Sequence, residues 1–463
     1  MLSTRTYTFP SLQRIGTQGV LLAITIAAAG LIGLSTSQEH WFLLAALALV
    51  ALVVLRPVYV ALGIFAFLVP FDSITVVGQG ASGTSISWYI GAAAAPILLL
   101  IGLAAGRLRS PSSASRLWIL FLAWSAITTF WAIEPNDSLL RLPTALAFLI
   151  FYFVSASFRI KKKEFEAIVA MTILGGVAAA GLILYQFHQG IFYEGSGQTL
   201  RGSLSWGDRE TNPNTIVASL LPATSFCISW LFRVRGWLGR VFVAALITAT
   251  VSAIMVTMSR GGLVALFAVI AVYCYRSGVN WRLIAIIVVL AVSLSFMPSL
   301  FFMRLEEAYS TGGSGRLYIW AAGLVALRHY GLIGAGLNNF QAAYTQYAGY
   351  ASHFMGFGRD PHNVFLSIAV ESGILGIVLF LGAIRRQLRE VTKVCALSPM
   401  PNHSIIACEA ACWGLLTGGL FSNVLWSKAF WFSWVVLVFA TQLGKTSNNP
   451  TDLEIMSQKR YSR

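Results

Sequence analysis

The chain has 463 residues, of which 57% are hydrophobic and only 11% are charged, and its formal net charge is +15. A soluble domain with a single core is excluded, because repeated apolar runs of about twenty residues match the thickness of a hydrocarbon slab. The runs are continuous and rich in Leu, Ala, Ile and Val, unlike the short alternating strands of a membrane β-barrel. The sequence therefore predicts an all-α, polytopic integral membrane protein.

Apolar runs separated by polar breaks predict about twelve to fourteen spans, the lower number applying if the short runs beside Arg56 are not spans. If the spans alternate in direction, most Lys and Arg residues fall on one side, which the positive-inside bias assigns to the cytoplasm. The predicted spans lie near residues 17–34, 40–55, 57–70, 87–106, 117–132, 139–157, 165–187, 213–232, 239–257, 262–275, 283–298, 363–384, 404–420 and 428–443.

Most of the positive charge is a topology signal and a contact with anionic lipid headgroups of the membrane, so no nucleic-acid partner is needed to explain it. Nine basic residues fall against this bias, on or near the opposite face, and eight of them are Arg. The planar fork of Arg suits bidentate recognition of phosphate, which predicts an anion site facing away from the cytoplasm. The nine are Arg141, Arg201, Arg209, Arg260, Arg304, Arg316, Arg328, Arg359 and Lys428, with Arg209, Arg304 and Arg328 the expected bystanders.

Two outer segments, residues 188–212 and 299–361, are long enough to hold a site. The first contains Arg201 and leads into Asn212-Pro213-Asn214, where the amide of Asn212 or Asn214 is suited to contact sugar or phosphate unless it only caps a helix. In the second, apolar residues recur at helical spacing over residues 317–329, which predicts an amphipathic helix on the membrane that begins at Arg316. A guanidinium beside free helix N–H groups is a phosphate cradle.

Two further motifs place charged side chains at the outer ends of predicted spans. Arg260 lies between Ser259 and two glycines, where it cannot reach the cytoplasmic surface, which indicates a close anionic ligand rather than an incidental turn residue. The segment Gly358-Arg359-Asp360-Pro361-His362-Asn363 leads directly into an apolar run. His362 is the candidate for proton transfer, with His353 in the same loop as its rival, and Arg359 is a further candidate anion contact.

The motifs occur in a fixed order along the second half of the chain. They are Arg201 with Asn212-Pro213-Asn214, Ser259-Arg260-Gly261-Gly262, Ser314-Gly315-Arg316 with Trp320, Gly334-Ala335-Gly336 with Phe340, and Pro361-His362-Asn363 with Glu371-Ser372-Gly373 and Gly376. In this order, in a protein with many spans, they resemble the bacterial O-antigen ligase and O-antigen polymerase superfamily. The first half of the chain matches that superfamily only in being multispanning.

The resemblance implies a GT-C-like glycosyltransferase of the bacterial inner membrane that takes glycan from an undecaprenyl-pyrophosphate carrier at the periplasmic face. It implies that His362 is the histidine of the catalytic centre and that Arg260 and Arg316 hold the pyrophosphate. The expected organisation is N-terminal spans over residues 1–200, a catalytic region over 201–384 with its periplasmic loop at 299–361, and C-terminal spans with a cytoplasmic tail over 385–463.

The residues at the predicted outer face favour transfer without a metal ion or other cofactor. Acids are sparse there and form no Asp-x-Asp pair, although Glu306-Glu307 remains an alternative metal site. Arginines can instead stabilise a diphosphate leaving group, and attack from the side opposite to that group inverts the anomeric centre.

Three kinds of enzyme use such a lipid-pyrophosphate donor, and they differ in the acceptor. A ligase uses lipid A-core, a polymerase uses its own growing glycan, and a protein O-oligosaccharyltransferase uses Ser or Thr. The ligase is favoured because the sequence has no large extra outer domain for protein acceptors. A lipid-linked oligosaccharide flippase is the alternative from another class. It is disfavoured because the spans show no internal repeat.

Overall fold

The computed structural model describes residues 56–77, 84–194, 200–295, 306, 315–397 and 402–447. Apart from two short antiparallel hairpins, Val76–Val77 with Thr84–Ser85 and Ser205–Trp206 with Arg209–Glu210, these residues form helices joined by loops. The helices are α1 Tyr59–Phe71, α2 Ile86–Ala104, α3 Ser113–Ile127, α4 Pro135–Ser157, α5 Lys162–His188, α6 Pro213–Arg233, α7 Trp237–Val256, α8 Arg260–Ser277, α9 Trp281–Ser295, α10 Arg316–Tyr330, α11 Phe340–Tyr347, α12 Val364–Ala396, α13 His403–Gly418 and α14 Lys428–Ser447.

The protein is a multi-pass, all-α membrane protein. Seven helices of the described chain, α2, α4, α5, α6, α7, α8 and α12, are long and apolar enough to cross a membrane. The predicted spans at 17–34 and 40–55 lie outside the described residues, whereas each of the other predicted spans overlaps a helix. The total of twelve to fourteen spans stays a prediction, as does the division of the chain at residues 200 and 384.

Arginines at the two ends of the bundle have different partners. At one end, buried or half-buried acids pair with arginines that the sequence assigns to the cytoplasm. Arg107 contacts Glu164 at 2.5 Å and Arg276 contacts Glu409 at 2.7 Å. At the other end Arg260 and Arg316 are each the first residue of a helix, and Arg201 lies beside them. Lys428 differs from them, because its ammonium lies 2.5 Å from Asp72 and donates to Ser85 Oγ at 2.8 Å.

Aromatic side chains at the centre of the bundle join its two halves. Trp118 of α3 is fully buried, and its ring centroid lies 4.8 Å from that of Trp434 and 5.4 Å from that of Phe380. Such pairs add about 0.5 to 1.5 kcal/mol each beyond the area they bury. The packing holds α12 and α14 against α3, so the helix that begins beside His362 has a fixed position in the bundle.

Helix α12 is broken within the bundle at Gly373, whose φ of 64° and ψ of −165° are not helical. The break leaves carbonyl groups without partners in the helix, and groups unsatisfied in a membrane interior are costly. A loop ahead of α11 satisfies them, because Ala335 N donates to Val370 O at 2.8 Å and Gly336 N donates to Glu371 O at 3.0 Å. Trp124 Nε1 donates to Ser372 O at 2.8 Å. The segments Gly334-Ala335-Gly336 and Glu371-Ser372-Gly373 are therefore hydrogen-bonded to each other.

The Glu371 carboxylate also connects α12 to this loop. It is buried and accepts hydrogen bonds from Ser367 Oγ at 3.0 Å and from Asn338 N at 3.3 Å. Arg141 Nε donates to Asn338 Oδ1 at 3.3 Å, so this outer arginine contacts the same loop. Glu371 thus has a hydrogen-bonding role within the bundle.

Adding one methyl group at Gly334 is expected to destabilise the protein. A Cβ there would lie 2.1 Å from Glu371 O, and φ is +88°. Strain at such a backbone costs about 1 to 3 kcal/mol before the clash is counted. Gly334→Ala should lower the midpoint of thermal unfolding in detergent. Gly382→Ala in α12, where the new methyl lies 3.8 Å from Leu117, should leave it unchanged or raise it.

The predicted amphipathic helix at residues 317–329 is present as α10, and Arg316 is its first residue. Leu317 and Leu324, two of the apolar residues that recur at helical spacing, are more than half exposed. The buried positions are Ile319 and three small residues, among them Gly323, where a Cβ would lie 2.9 Å from the Phe340 ring. Close approach to α11 and α12, which only small residues allow, decides which face is buried.

Candidate active site

A small cavity of about 50 Å³ lies at the bundle end where α6, α8 and α10 begin. It has room for a few water molecules or for part of a small polar group. The polar wall contains Arg201, Asn214, Ser259, Arg260, Arg316 and Ser422, and the rest consists of small and apolar residues such as Gly261, Gly262, Gly418, Phe421 and Val424.

The N-termini of three helices converge on this cavity. Asn214 is the second residue of α6, Ser259 is the N-cap of α8, and Arg316 is the first residue of α10. The N-cap of α10 is Gly315, which has no side chain to satisfy the first N–H groups. Helix N-termini carry partial positive charge and exposed N–H donors, both of which favour a bound anion. Three arginines at the same place strengthen that preference.

A hydrogen-bond network orients the polar wall. The buried Arg201 guanidinium donates to Thr257 O at 3.0 Å and to Asn214 Oδ1 at 3.2 Å. Ser259 Oγ also donates to Asn214 Oδ1, at 2.7 Å, and accepts from Gly262 N at 3.1 Å. Asn212 is the N-cap of α6, whereas the Asn214 side chain connects Arg201 of the first outer segment with Ser259 at the start of α8.

The two glycines after Arg260 keep the cavity open. A Cβ on Gly261 would lie 2.8 Å from Phe421 Cβ, and a Cβ on Gly262 would lie 2.8 Å from Val217 Cγ1. Any larger residue would push the start of α8 away from α6 or from the loop after α13. The small residues thus let the helix N-terminus lie directly against the cavity, as anion binding by backbone N–H groups requires.

His362 lies in a rigid turn immediately before α12. Its φ is +47°, which is rare for a residue with a side chain and is often found at functional sites. Three hydrogen bonds hold the turn: His362 N donates to Asp360 Oδ1 at 2.7 Å, Trp320 Nε1 to Pro361 O at 2.7 Å, and Asn423 Nδ2 to Asp360 Oδ2 at 3.4 Å. Asn363 then caps α12.

The charges around His362 act in opposite directions. Its side chain is 45% exposed, and its Nδ1 lies 3.6 Å from Asp360 Oδ1. Removal of water by partial burial lowers the pKa of the imidazole below its ordinary value, an effect that Asp360 opposes and the nearby Arg316 reinforces. The net direction is downward, so the imidazole is neutral at neutral pH and is able to accept a proton.

The structure brings together most of the residues that the sequence selects. Arg201, Asn214, Arg260 and Arg316 share one cavity, and Arg316 also acts on the imidazole of His362. Arg359 is different, because it is exposed, donates to Met355 O at 2.6 Å and is not part of the cavity wall. Sequence proximity to His362 therefore does not bring Arg359 to the predicted anion site.

The loop between α13 and α14 is part of the site, which sequence reasoning did not foresee. Phe421, Ser422 and Val424 line the cavity, and Asn423 contacts the Asp360 carboxylate beside His362. The sequence signal for this loop is weak. It is a short break between two apolar runs, with no charge of its own until Lys428.

The acids predicted as an alternative metal site do not form a described cluster. Among the residues that the structure describes, no three His, Cys, Asp or Glu side chains lie together as a metal site. Glu306 is exposed, and Glu307 lies outside the described residues.

Comparison with protein families agrees with the resemblance of the motifs. A family model described as O-antigen ligase matches residues 242–381, from within α7 to within α12. This match supports the resemblance of the chain to the O-antigen ligase superfamily over residues 242–381. The match includes Arg260, Arg316 and His362, whereas Arg201 and Asn214 precede it.

No curated protein matches the chain. The superfamily match supports a membrane enzyme of the O-antigen ligase or polymerase type, which acts on lipid-linked glycans.

Proposed function

We propose that the protein is a GT-C-like O-antigen ligase of the bacterial inner membrane, with its active site facing the periplasm. It transfers glycan from undecaprenyl pyrophosphate to lipid A-core. The observation that carries the proposal is the meeting of Arg201, Arg260 and Arg316 with three helix N-termini, beside the neutral imidazole of His362. An anion site next to a base is what glycosyl transfer from a diphosphate requires.

The arginines act on the leaving group. As the bond between the anomeric carbon and the pyrophosphate oxygen breaks, negative charge grows on that oxygen. Arg260 and Arg316 stabilise this charge, while Arg201 is held against Asn214 and keeps the wall in place. The stabilisation is strongest where donors are already oriented before the reaction, and the hydrogen bonds of Asn214 and Ser259 support such an orientation.

His362 acts on the acceptor. Its Nδ1 faces Asp360, so Nε2 is the nitrogen that accepts the proton from the acceptor hydroxyl. The hydroxyl oxygen forms the new bond to the anomeric carbon from the side opposite to the departing pyrophosphate. The anomeric centre is therefore inverted, and the proton ends on His362 while the electron pair leaves with the diphosphate.

The acceptor is tested in a deletion strain by electrophoresis of its lipopolysaccharide. Loss of a ligase should leave rough core and accumulate polymer on the carrier, and the wild-type gene should restore the ladder while a His362→Ala gene should not. Core capped with a single repeat unit would instead identify a polymerase. Unchanged lipopolysaccharide together with the loss of a glycosylated protein would identify a protein O-oligosaccharyltransferase.

The acid limb of the pH–rate profile should shift in opposite directions in the variants Asp360→Asn and Arg316→Gln. The reaction needs neutral His362, so kcat/KM falls as pH drops through the lowered pKa of the imidazole. Asp360→Asn removes the anion that raises this pKa and should move the limb to lower pH. Arg316→Gln removes the cation that lowers it and should move the limb to higher pH, at reduced overall activity. Shifts in the same direction for both variants would contradict the assignment of His362.

Turnover is expected to be independent of divalent metal ions. If the arginines carry the stabilisation of the diphosphate, purified protein with lipid-pyrophosphate donor and acceptor should keep its full rate in excess EDTA. Loss of the rate in EDTA, followed by recovery with magnesium or manganese, would overturn this part of the mechanism. Glu306, Glu307 and Asp360 would then be the ligands to test.

A further inference from the structure

A second and much larger recess lies at the end of the bundle opposite to the candidate active site. It is a groove of about 990 Å³ between α5, α6 and α7, closed on its other side by the N-terminus of α13 and the end of α14. Its wall on α5 runs from Lys162 to Val177, which at the helical rise is about 22 Å. One leaflet of hydrocarbon is about 15 Å thick, so the groove can accept a lipid chain from that leaflet.

The walls of the groove are apolar over most of this length. Phe165, Val169, Ile173 and Leu246 line it together with Trp230 and Phe242, whose rings are partly exposed. A dry, elongated apolar recess between membrane helices gains about 0.8 kcal/mol for each CH₂ group that it buries, relative to water. Its shape therefore suits a hydrocarbon chain and not a glycan.

The mouth of the groove carries positive charge. Lys162 begins α5 and Arg233 ends α6, and the Arg233 guanidinium donates to Ser404 Oγ at 3.5 Å in the first turn of α13. Asn402 caps α13, so a helix N-terminus also faces this region. Glu166 is the one acid of the wall, and within the described chain it forms no ion pair with Lys162 or Arg233. The mouth is suited to a phosphate group.

We propose that this groove binds an anionic phospholipid of the leaflet on that side, which the charge bias predicts to be the cytoplasmic one. One acyl chain lies along α5, and the headgroup phosphate is held by Lys162, Arg233 and the first turn of α13. Basic pockets between membrane helices bind anionic headgroups in this way. The site is separate from the cavity of the active site, which lies at the other ends of α5 and α6.

The proposal is tested with the full-length protein in nanodiscs that contain equal amounts of phosphatidylglycerol and phosphatidylcholine. After mild detergent extraction, native mass spectrometry should find one phosphatidylglycerol retained per protein. The double variant Lys162→Gln with Arg233→Gln should reduce this retention by about tenfold or more, because two charge-assisted contacts are lost. The matched control, Lys163→Gln with Arg235→Gln, removes the same charge from exposed positions outside the groove and should leave retention unchanged.

A second pair of variants tests the chain-binding part of the groove. Ala170 is exposed and lines the groove, whereas Ala178 is exposed on the same helix outside it. Ala170→Trp should fill the groove and lower lipid retention, while Ala178→Trp should not. Equal retention of phosphatidylcholine, stronger retention of an added polyprenyl phosphate, or displacement of the lipid by inorganic phosphate alone would each overturn the proposal.

Discussion

His362→Ala is expected to abolish glycan transfer while the protein still inserts into the membrane and still binds the carrier lipid. Partial burial lowers the pKa of the imidazole, which favours its proton-accepting form, and removal of a general base typically lowers the rate by about 10²- to 10⁴-fold. The turn that carries it is held by the Asp360 carboxylate and by Trp320, so its backbone does not depend on the imidazole. A rate assay with lipid-linked donor, at matched protein level in the membrane, measures the loss.

His353 provides the matched control for this substitution. It lies in the same loop but is exposed, and its ring lies 5.4 Å from that of Tyr318 instead of beside the arginines. His353→Ala should retain activity close to that of the wild type. Normal product formation by His362→Ala, or loss of activity only in His353→Ala, would move the base to His353.

Replacement of Arg260 or Arg316 by Lys should lower activity strongly although the charge is kept. Lys lacks the bidentate fork, and the loss of one or two charge-assisted hydrogen bonds to phosphate costs about 1.5 to 3 kcal/mol. The rate constant kcat/KM should therefore fall by about 10- to 150-fold for each variant. Because both side chains line one cavity, the effects of the double variant should not be additive.

Arg328→Lys is the control for these substitutions, since Arg328 is exposed at the far end of α10 and does not line the cavity. Its activity should be that of the wild type. Arg359→Lys decides whether the remaining predicted arginine takes part, and its position outside the cavity predicts a small effect. Full activity in both Arg260→Lys and Arg316→Lys would mean that the diphosphate is recognised elsewhere.

The sequence by itself determined the class of the protein and selected the candidate residues of the site. Apolar runs of fixed length predict membrane helices because the bilayer leaves few other solutions for the backbone. The choice of Arg against the charge bias selects Arg201, Arg260 and Arg316, and all three line the cavity. His362 is selected because a proton-accepting side chain at the entry to a span has few structural reasons to be there.

Only the tertiary structure decided how these residues meet. The convergence of the starts of α6, α8 and α10 depends on contacts between residues far apart in sequence, such as Gly261 with Phe421. Local pattern cannot reveal that the loop after α13 completes the cavity or that Arg359 stays outside it. Nor can it reveal that Ala335 and Gly336 satisfy carbonyls of the broken helix α12. The physical reason is that periodicity and charge report on each segment's surroundings, whereas a site is formed by packing between segments.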